Sequence, residues 1–367
     1  PTVGSANSMA GKSNVIIDTE KPTAPGAPTA TTTGGTNVVN AVLAANTNVL
    51  ASASITAGSA VGGSARLYLG SSVVGTDSSI ASGDASVTFS LGLSSVADVQ
   101  AAIAAGGSLT VEVLDLAGNI SDRSQATTLT VDYAVPTVSV ASSKTALVRG
   151  DTSALTFVLS DDANTASFDA SDITAVGGVI SGLTRNGTTF TATFTPTDAT
   201  QTTGSVSVAG SRFTDVAGNP NTTSNTVNLA IDTINPSVSA FTSTTTAGSY
   251  HEGASINITA TMSEAVRAGA SMTVKLNSGS GHDATVTLSR LTAGTTLTGT
   301  YAVQANEAAD TLSVTSITSI AVTDLAGNAV SSASVPADPA VKSGSNTFSV
   351  DAVPPSDGRH LFLDLTD

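Results

Sequence analysis

Carboxylates recur in this chain at regular places. The string Asp-x-Ala-Gly-Asn occurs three times, at Asp115-Leu-Ala-Gly-Asn119, Asp215-Val-Ala-Gly-Asn219 and Asp324-Leu-Ala-Gly-Asn328. Each copy is followed by a polar stretch, an alternating run, and an aspartate with a proline three or four residues on: Asp132 before Pro136, Asp232 before Pro236, Asp351 before Pro354. A fourth such aspartate, Asp18 before Pro22, stands near the start. Aspartate is a turn residue and a short, stiff oxygen donor. Several of them packed together repel one another unless a cation neutralises them. Ca²⁺ takes six to eight oxygens in a forgiving geometry, whereas Mg²⁺ demands a tight octahedron and keeps most of its water, so calcium is the better match.

What must position these acids is a repeated module. The exit aspartates Asp18, Asp132, Asp232 and Asp351 lie 114, 100 and 119 residues apart, the size of a sandwich domain. The expected division is the last strand of a preceding repeat and a linker over 1–21, then repeats over 22–132, 133–232 and 233–351, with 352–367 a tail or the start of a further repeat. With no Trp, 9 Phe and 4 Tyr, the cores must be built mostly from Val, Ile, Leu and Ala. The start at Pro1, without Met or a signal sequence, is that expected of a fragment.

The second module reads most clearly. Alternation and β-branched residues predict strands over 137–141, 154–160, 173–176, 179–183, 188–195, 205–209 and 226–231, with Asn186-Gly187 a hairpin turn. Seven short strands without a helix give an all-β, immunoglobulin-like sandwich. The third module repeats this pattern, with its second strand over 255–262 and about ten residues inserted before its last strand. The first is a variant that carries the chain's one helix candidate, 95–105, ended by Gly106-Gly107.

Strand parity then locates the acids. In seven antiparallel strands, the loops after the second, fourth and sixth all return to the pole where the chain came in. The loop after the second strand holds Asp161 and Asp162 in module two and Glu264 in module three. The loop after the sixth is the repeated string, and the preceding module's exit aspartate arrives at the same pole. Asp132, Asp161 or Asp162, Asp215 and Asn219 are therefore candidate calcium ligands at one junction, and Asp232, Glu264, Asp324 and Asn328 at the next. Asp18, Glu20, Asp115 and Asn119 form a weaker set, because the matching loop of the first module, 57–60, has no acid. A competing reading makes each string only a tight hairpin, with Gly at positive φ and Asp bonding the backbone.

Phe168-Asp-Ala-Ser-Asp-Ile173, Phe190-Thr-Ala-Thr-Phe-Thr-Pro196, Phe213-Thr-Asp-Val-Ala-Gly-Asn219, Ile231-Asp-Thr-Ile-Asn-Pro236 and Ser263-Glu-Ala-Val266 carry a resemblance. The chain resembles the bacterial immunoglobulin-like repeats of very large secreted or surface-anchored adhesins of Gram-negative bacteria. That resemblance implies spacer modules laid out as a linear rod, stiffened by calcium at acidic junctions, on an extracellular adhesin or biofilm protein. Partners would be Ca²⁺, neighbouring repeats, and surface glycans or other cell-surface components reached by regions outside this chain. The acid-free loop of the first module departs from the acidic pattern.

Other function classes find little support. A net charge of −15 spread along the chain lacks the clustered basic face that nucleic acid needs. No apolar run approaches a membrane span. Without cysteine there is neither a disulfide nor a thiolate metal site. No hydrolase elbow, phosphate loop or dinucleotide fingerprint occurs, so the chain is not expected to be an enzyme. Arg149-Gly150-Asp151 spells an integrin tripeptide but falls where a turn belongs. Two alternatives to the spacer stand: a surface-layer lattice protein assembled by calcium, and a carbohydrate-binding module, against which the lack of Trp counts.

Overall fold

The computed structural model describes residues 18–32, 35–40, 49–91, 101–161, 167–279, 283–330 and 333–354. Nearly all regular structure in them is β. In the second module, alternation along Ser153–Leu159 turns Leu155, Phe157 and Leu159 inward and leaves Ala154 and Val158 exposed. The module's strands form two four-stranded sheets. One runs Val138–Ser142, Ser153–Leu159, Thr189–Pro196, Gly178–Asn186, and the other Ala146–Leu147, Val227–Asp232, Gln201–Val208, Ile173–Val176. The chain crosses between the sheets at a glycine pair. Gly177 has φ 80°, and a Cβ on Gly178 would meet the Thr195 carbonyl oxygen at 2.4 Å and the Phe194 ring at 2.5 Å. Phe168 sits at the centre of the core, edge-on to Phe157, Phe190 and Phe213.

All seven expected strands of this module are present, and the Asn186-Gly187 turn pairs Asn186 with Thr189. Two features differ from the sequence reading. Ala146–Leu147 is an extra strand, running parallel to Val227–Asp232. The strand expected from residue 205 starts at Gln201, because its exposed polar beginning pairs with Val227–Asp232 without supplying apolar alternation.

The third module is organised differently. Its eight-stranded sheet is continuous, because Asp283–Ser289 pairs with Ser271–Asn277 on one side and touches Gly294–Ala302 on the other. Its second strand is Ser255–Val266, four residues longer than expected, which places Glu264 on a strand and not in a loop. The physical reason is a new partner. Pairing with Gly294–Ala302 shifts register between Thr261 and Val266, and the strand end is then held by the last hairpin through a Val266–Asp324 bridge and the Arg267 N–H donated to the Thr323 carbonyl.

In the first module Val49–Ser54 pairs with Thr29–Thr32 on one side and Ser86–Leu91 on the other, and a hairpin of Ser64–Leu69 and Ser72–Asp77 packs beside Leu109–Leu114. The helix candidate lies partly outside the described residues. Residues 101–104 are helical and end where Gly106 donates to the Ile103 carbonyl and Gly107 to that of Ala102. Buried apolar residues form three separate clusters, running from Ala30 to Leu129, Val138 to Ile231 and Phe241 to Ala352.

Candidate metal centres at the module junctions

Each repeated string folds as the same closed hairpin. Asp215 N–H donates to the Asn219 carbonyl at 3.1 Å, Gly218 N–H returns to the Asp215 carbonyl at 3.2 Å, and Gly218 takes φ 85°. Asp115–Asn119 repeats both backbone bonds, and Asp324 N–H likewise donates to the Asn328 carbonyl. The aspartate side chain then clasps the asparagine. Asp215 Oδ1 accepts the Asn219 backbone N–H at 2.8 Å, and its Oδ2 accepts the side-chain Nδ2 at 2.9 Å. The same pair of bonds recurs in Asp115–Asn119 and in Asp324–Asn328. The variable second residue points to solvent in all three, as Leu116, Val216 and Leu325.

The incoming strand meets this hairpin in one manner. Asp18, Asp132 and Asp232 each accept a backbone N–H two residues on, from Glu20, Ala134 and Ile234. This Asx turn redirects the chain toward the proline. The asparagine of the next module's hairpin donates its side-chain Nδ2 to the exit aspartate's carbonyl: Asn119 to Asp18 at 3.1 Å, Asn219 to Asp132 at 3.0 Å, Asn328 to Asp232 at 2.9 Å.

Two junctions add a third carboxylate. Oxygens of Asp132, Asp161 and Asp215 lie within 4.8 Å of one another, and so do oxygens of Asp232, Glu264 and Asp324. Each group draws on three elements and two modules. Two oxygens bound to one Ca²⁺ at about 2.4 Å can be at most about 4.8 Å apart, so this spread fits a shared ion. Like charges at this spacing repel by on the order of 3 kcal/mol per pair at an effective dielectric of about 20. Asp132, Asp215, Asp232, Glu264 and Asp324 take part in no ion pair among the described residues. Asp215 and Asp324 are buried, each 1% exposed.

Glu264 shows the strain most directly. Its Oε1 is buried without a hydrogen-bond partner. Burial, followed by the nearby charges of Asp324 and Asp232, pushes its carboxyl above the usual glutamate range. A divalent cation would satisfy both the orphan oxygen and the crowded charge.

The remaining expected residues fall elsewhere. Asp162 lies outside the described residues. Asp18 and Glu20 are exposed, and Asp115 is not brought into any group of three acids among the described residues. Asn119 holds the Asp115 carboxyl below the usual carboxylate range. The asparagines turn nitrogen, not oxygen, toward the acids, and Asn328 Oδ1 accepts the Arg149 N–H at 2.7 Å. Asp151 of the Arg-Gly-Asp string binds Lys144 and caps Val148, as a turn aspartate does. Sequence reasoning missed the cross-module contacts of Asn40 with the Ala217 carbonyl and of Arg149 with Asn328. Neither carries a local sequence signal, since both partners are distant in the chain.

A profile of the bacterial Ig-like domain family matches residues 132–231, the second module. No curated protein matches the chain. Among solved structures, a titin I9–I11 tandem is similar with 10% identity and a TM-score of 0.25, covering 84% of this chain and 97% of that one. InvD of Yersinia pseudotuberculosis shows 16% identity and a TM-score of 0.24, covering 83% and 98%. The adhesin InvE of the same organism shows 16% identity and a TM-score of 0.21, covering 50% and 54%. Overlaps this low carry no functional assignment to this chain. No helix among the described residues is long and apolar enough to cross a membrane.

Proposed function

We propose that this chain is a run of spacer modules from an extracellular bacterial adhesin or biofilm protein, with Ca²⁺ bound at its second and third junctions. The observation that carries the reading is the pair of three-acid groups, Asp132, Asp161 and Asp215, then Asp232, Glu264 and Asp324, each shared between consecutive modules. An ion held by both sides of a short linker removes hinge freedom, because bending would pull ligands off the metal. Backbone carbonyls and water complete the shell. Without the ion, mutual repulsion spreads the carboxylates and widens the bending range of each junction, and each sandwich stays folded around its own core. The bacterial Ig-like match to the second module supports the extracellular setting.

Small-angle scattering of the whole chain, with calcium and with chelator, tests this together with calorimetric titration. The expected result is two bound ions and a longer, stiffer particle in calcium. Unchanged maximum dimension and no binding heat would make these acids ordinary turn residues.

A further inference from the structure

The asparagine that closes each hairpin makes the side-chain hydrogen bond from that hairpin to the preceding exit aspartate that recurs at all three junctions. We propose that Asn119, Asn219 and Asn328 are latches that dock each module on its predecessor without a cation, and that Asn219 and Asn328 also aim the carboxylates of the two acidic junctions. The aiming half rests on the calcium reading above, and the docking half does not.

The geometry leaves the amide one orientation. The NH₂ group of Asn328 lies 2.7 Å from Asp324 Oδ2 and 2.9 Å from the Asp232 carbonyl oxygen. Turned over, its oxygen would face two oxygens, so the nitrogen must sit there. Both amide hydrogens are thus spent, one within the hairpin and one on the preceding module. Asn219 makes the same two bonds at 2.9 and 3.0 Å, and Asn119 at 2.8 and 3.1 Å. Asn219 and Asn328 are buried, 0% and 3% exposed, where lost hydrogen bonds are not replaced by water.

A second tie accompanies the latch at each acidic junction. Arg149, in the turn after Ala146–Leu147, donates its N–H to Asn328 Oδ1. Asn40, at the end of the parallel strand Val38–Asn40, donates Nδ2 to the Ala217 carbonyl at 2.7 Å. One tie comes from the end of the strand that runs parallel to the exit strand and the other from the turn just after it, so each hairpin is held by two segments of the module before it. One amide therefore fixes the aspartate of its own hairpin and the backbone of the exit aspartate, the two residues whose carboxylates must converge. This is the orienting role that outer-shell hydrogen bonds play around metal ligands.

Asparagine-to-aspartate exchange separates a latch from a ligand. Were Asn219 and Asn328 oxygen ligands, Asn219→Asp and Asn328→Asp would keep or raise calcium affinity. As latches they lose both donors and set a new anion against two acceptors, so affinity should fall by about 10- to 100-fold. The whole chain would be titrated with Ca²⁺ by calorimetry, and residual dipolar couplings in chelator would report whether adjacent modules share one alignment. The wild type should share it in part, more tightly once calcium is added, and each variant should lose it at its own junction while module melting persists. Asn119→Ala should loosen the segment around Asp18 from the first module equally with and without calcium. Wild-type affinity in the aspartate variants would overturn the aiming role, and independent module alignment in the chelated wild type would overturn the docking role. If the wild type bound no calcium, the calcium reading would fall and the couplings alone would judge the latch.

Discussion

At the first junction, Asp115 sits beside its asparagine with its carboxyl held low. At the third, Glu264 sits beside two aspartates with its carboxyl held high and one oxygen unpartnered. The hairpin, the Asx turn and the asparagine-to-carbonyl bond are common to both. What differs is the side chain near the end of the strand that pairs with each module's first: Ala57 in the loop after Val49–Ser54 in module one, Asp161 just beyond Ser153–Leu159 in module two, and Glu264 within Ser255–Val266 in module three. Strand parity brings that end of the strand to the pole where the preceding module's exit aspartate arrives. The docking machinery is thus general, and one side-chain position distinguishes an acidic junction from a plain one.

The largest expected effect comes from erasing that difference. An Asp161→Ala and Glu264→Ala double variant should lose the calcium-induced gain in stability, about 2.7 kcal/mol per bound ion at a calcium concentration one hundred times the dissociation constant. Scanning calorimetry with calcium and with chelator measures it, and a retained calcium response would show that the shared residues suffice. The converse change, Ala57→Asp, should raise the number of bound ions in a calorimetric titration from two to three. An unchanged stoichiometry would mean that the first junction differs by more than one position.

Protons sharpen the comparison through opposite signs. Glu264 has a folded pKa above its ordinary value of 4.5, so the folded chain holds the proton more tightly. In chelator, stability should fall as pH rises from 4.5 through the raised value. Glu264→Gln should flatten that slope in melting curves. Asp115 contributes the other way, with stability present above 3.8 and lost as pH falls through its lowered value. The smallest effect belongs to Lys21→Ala. It removes an exposed ion pair with Asp122 at the first junction and should cost under about 1 kcal/mol in chemical denaturation.

Much of the second module was legible because its strands are half-buried and alternate, as Ser153–Leu159 and Thr189–Pro196 do. Ala146–Leu147 was not, since two residues carry no period. Parity gathers Asp132 with Asp161 and Asp215, and Asp232 with Glu264 and Asp324, and their oxygens do lie close together. It did not show that Glu264 stays on a strand, because the partner that extends the strand is a hairpin nearly sixty residues away.

By itself the sequence determined the repeat, the all-β class, the hairpin chemistry of Asp-x-Ala-Gly-Asn and the pole at which the acids gather. Those follow from local propensity and from alternation, which each short segment carries within itself. Only the tertiary structure decided which oxygens lie within 4.8 Å, that the asparagines face the acids with nitrogen, and that Asn40 and Arg149 reach into the next module. Such facts depend on how separately folded segments meet, and no local pattern encodes the meeting of residues 177 or 179 positions apart.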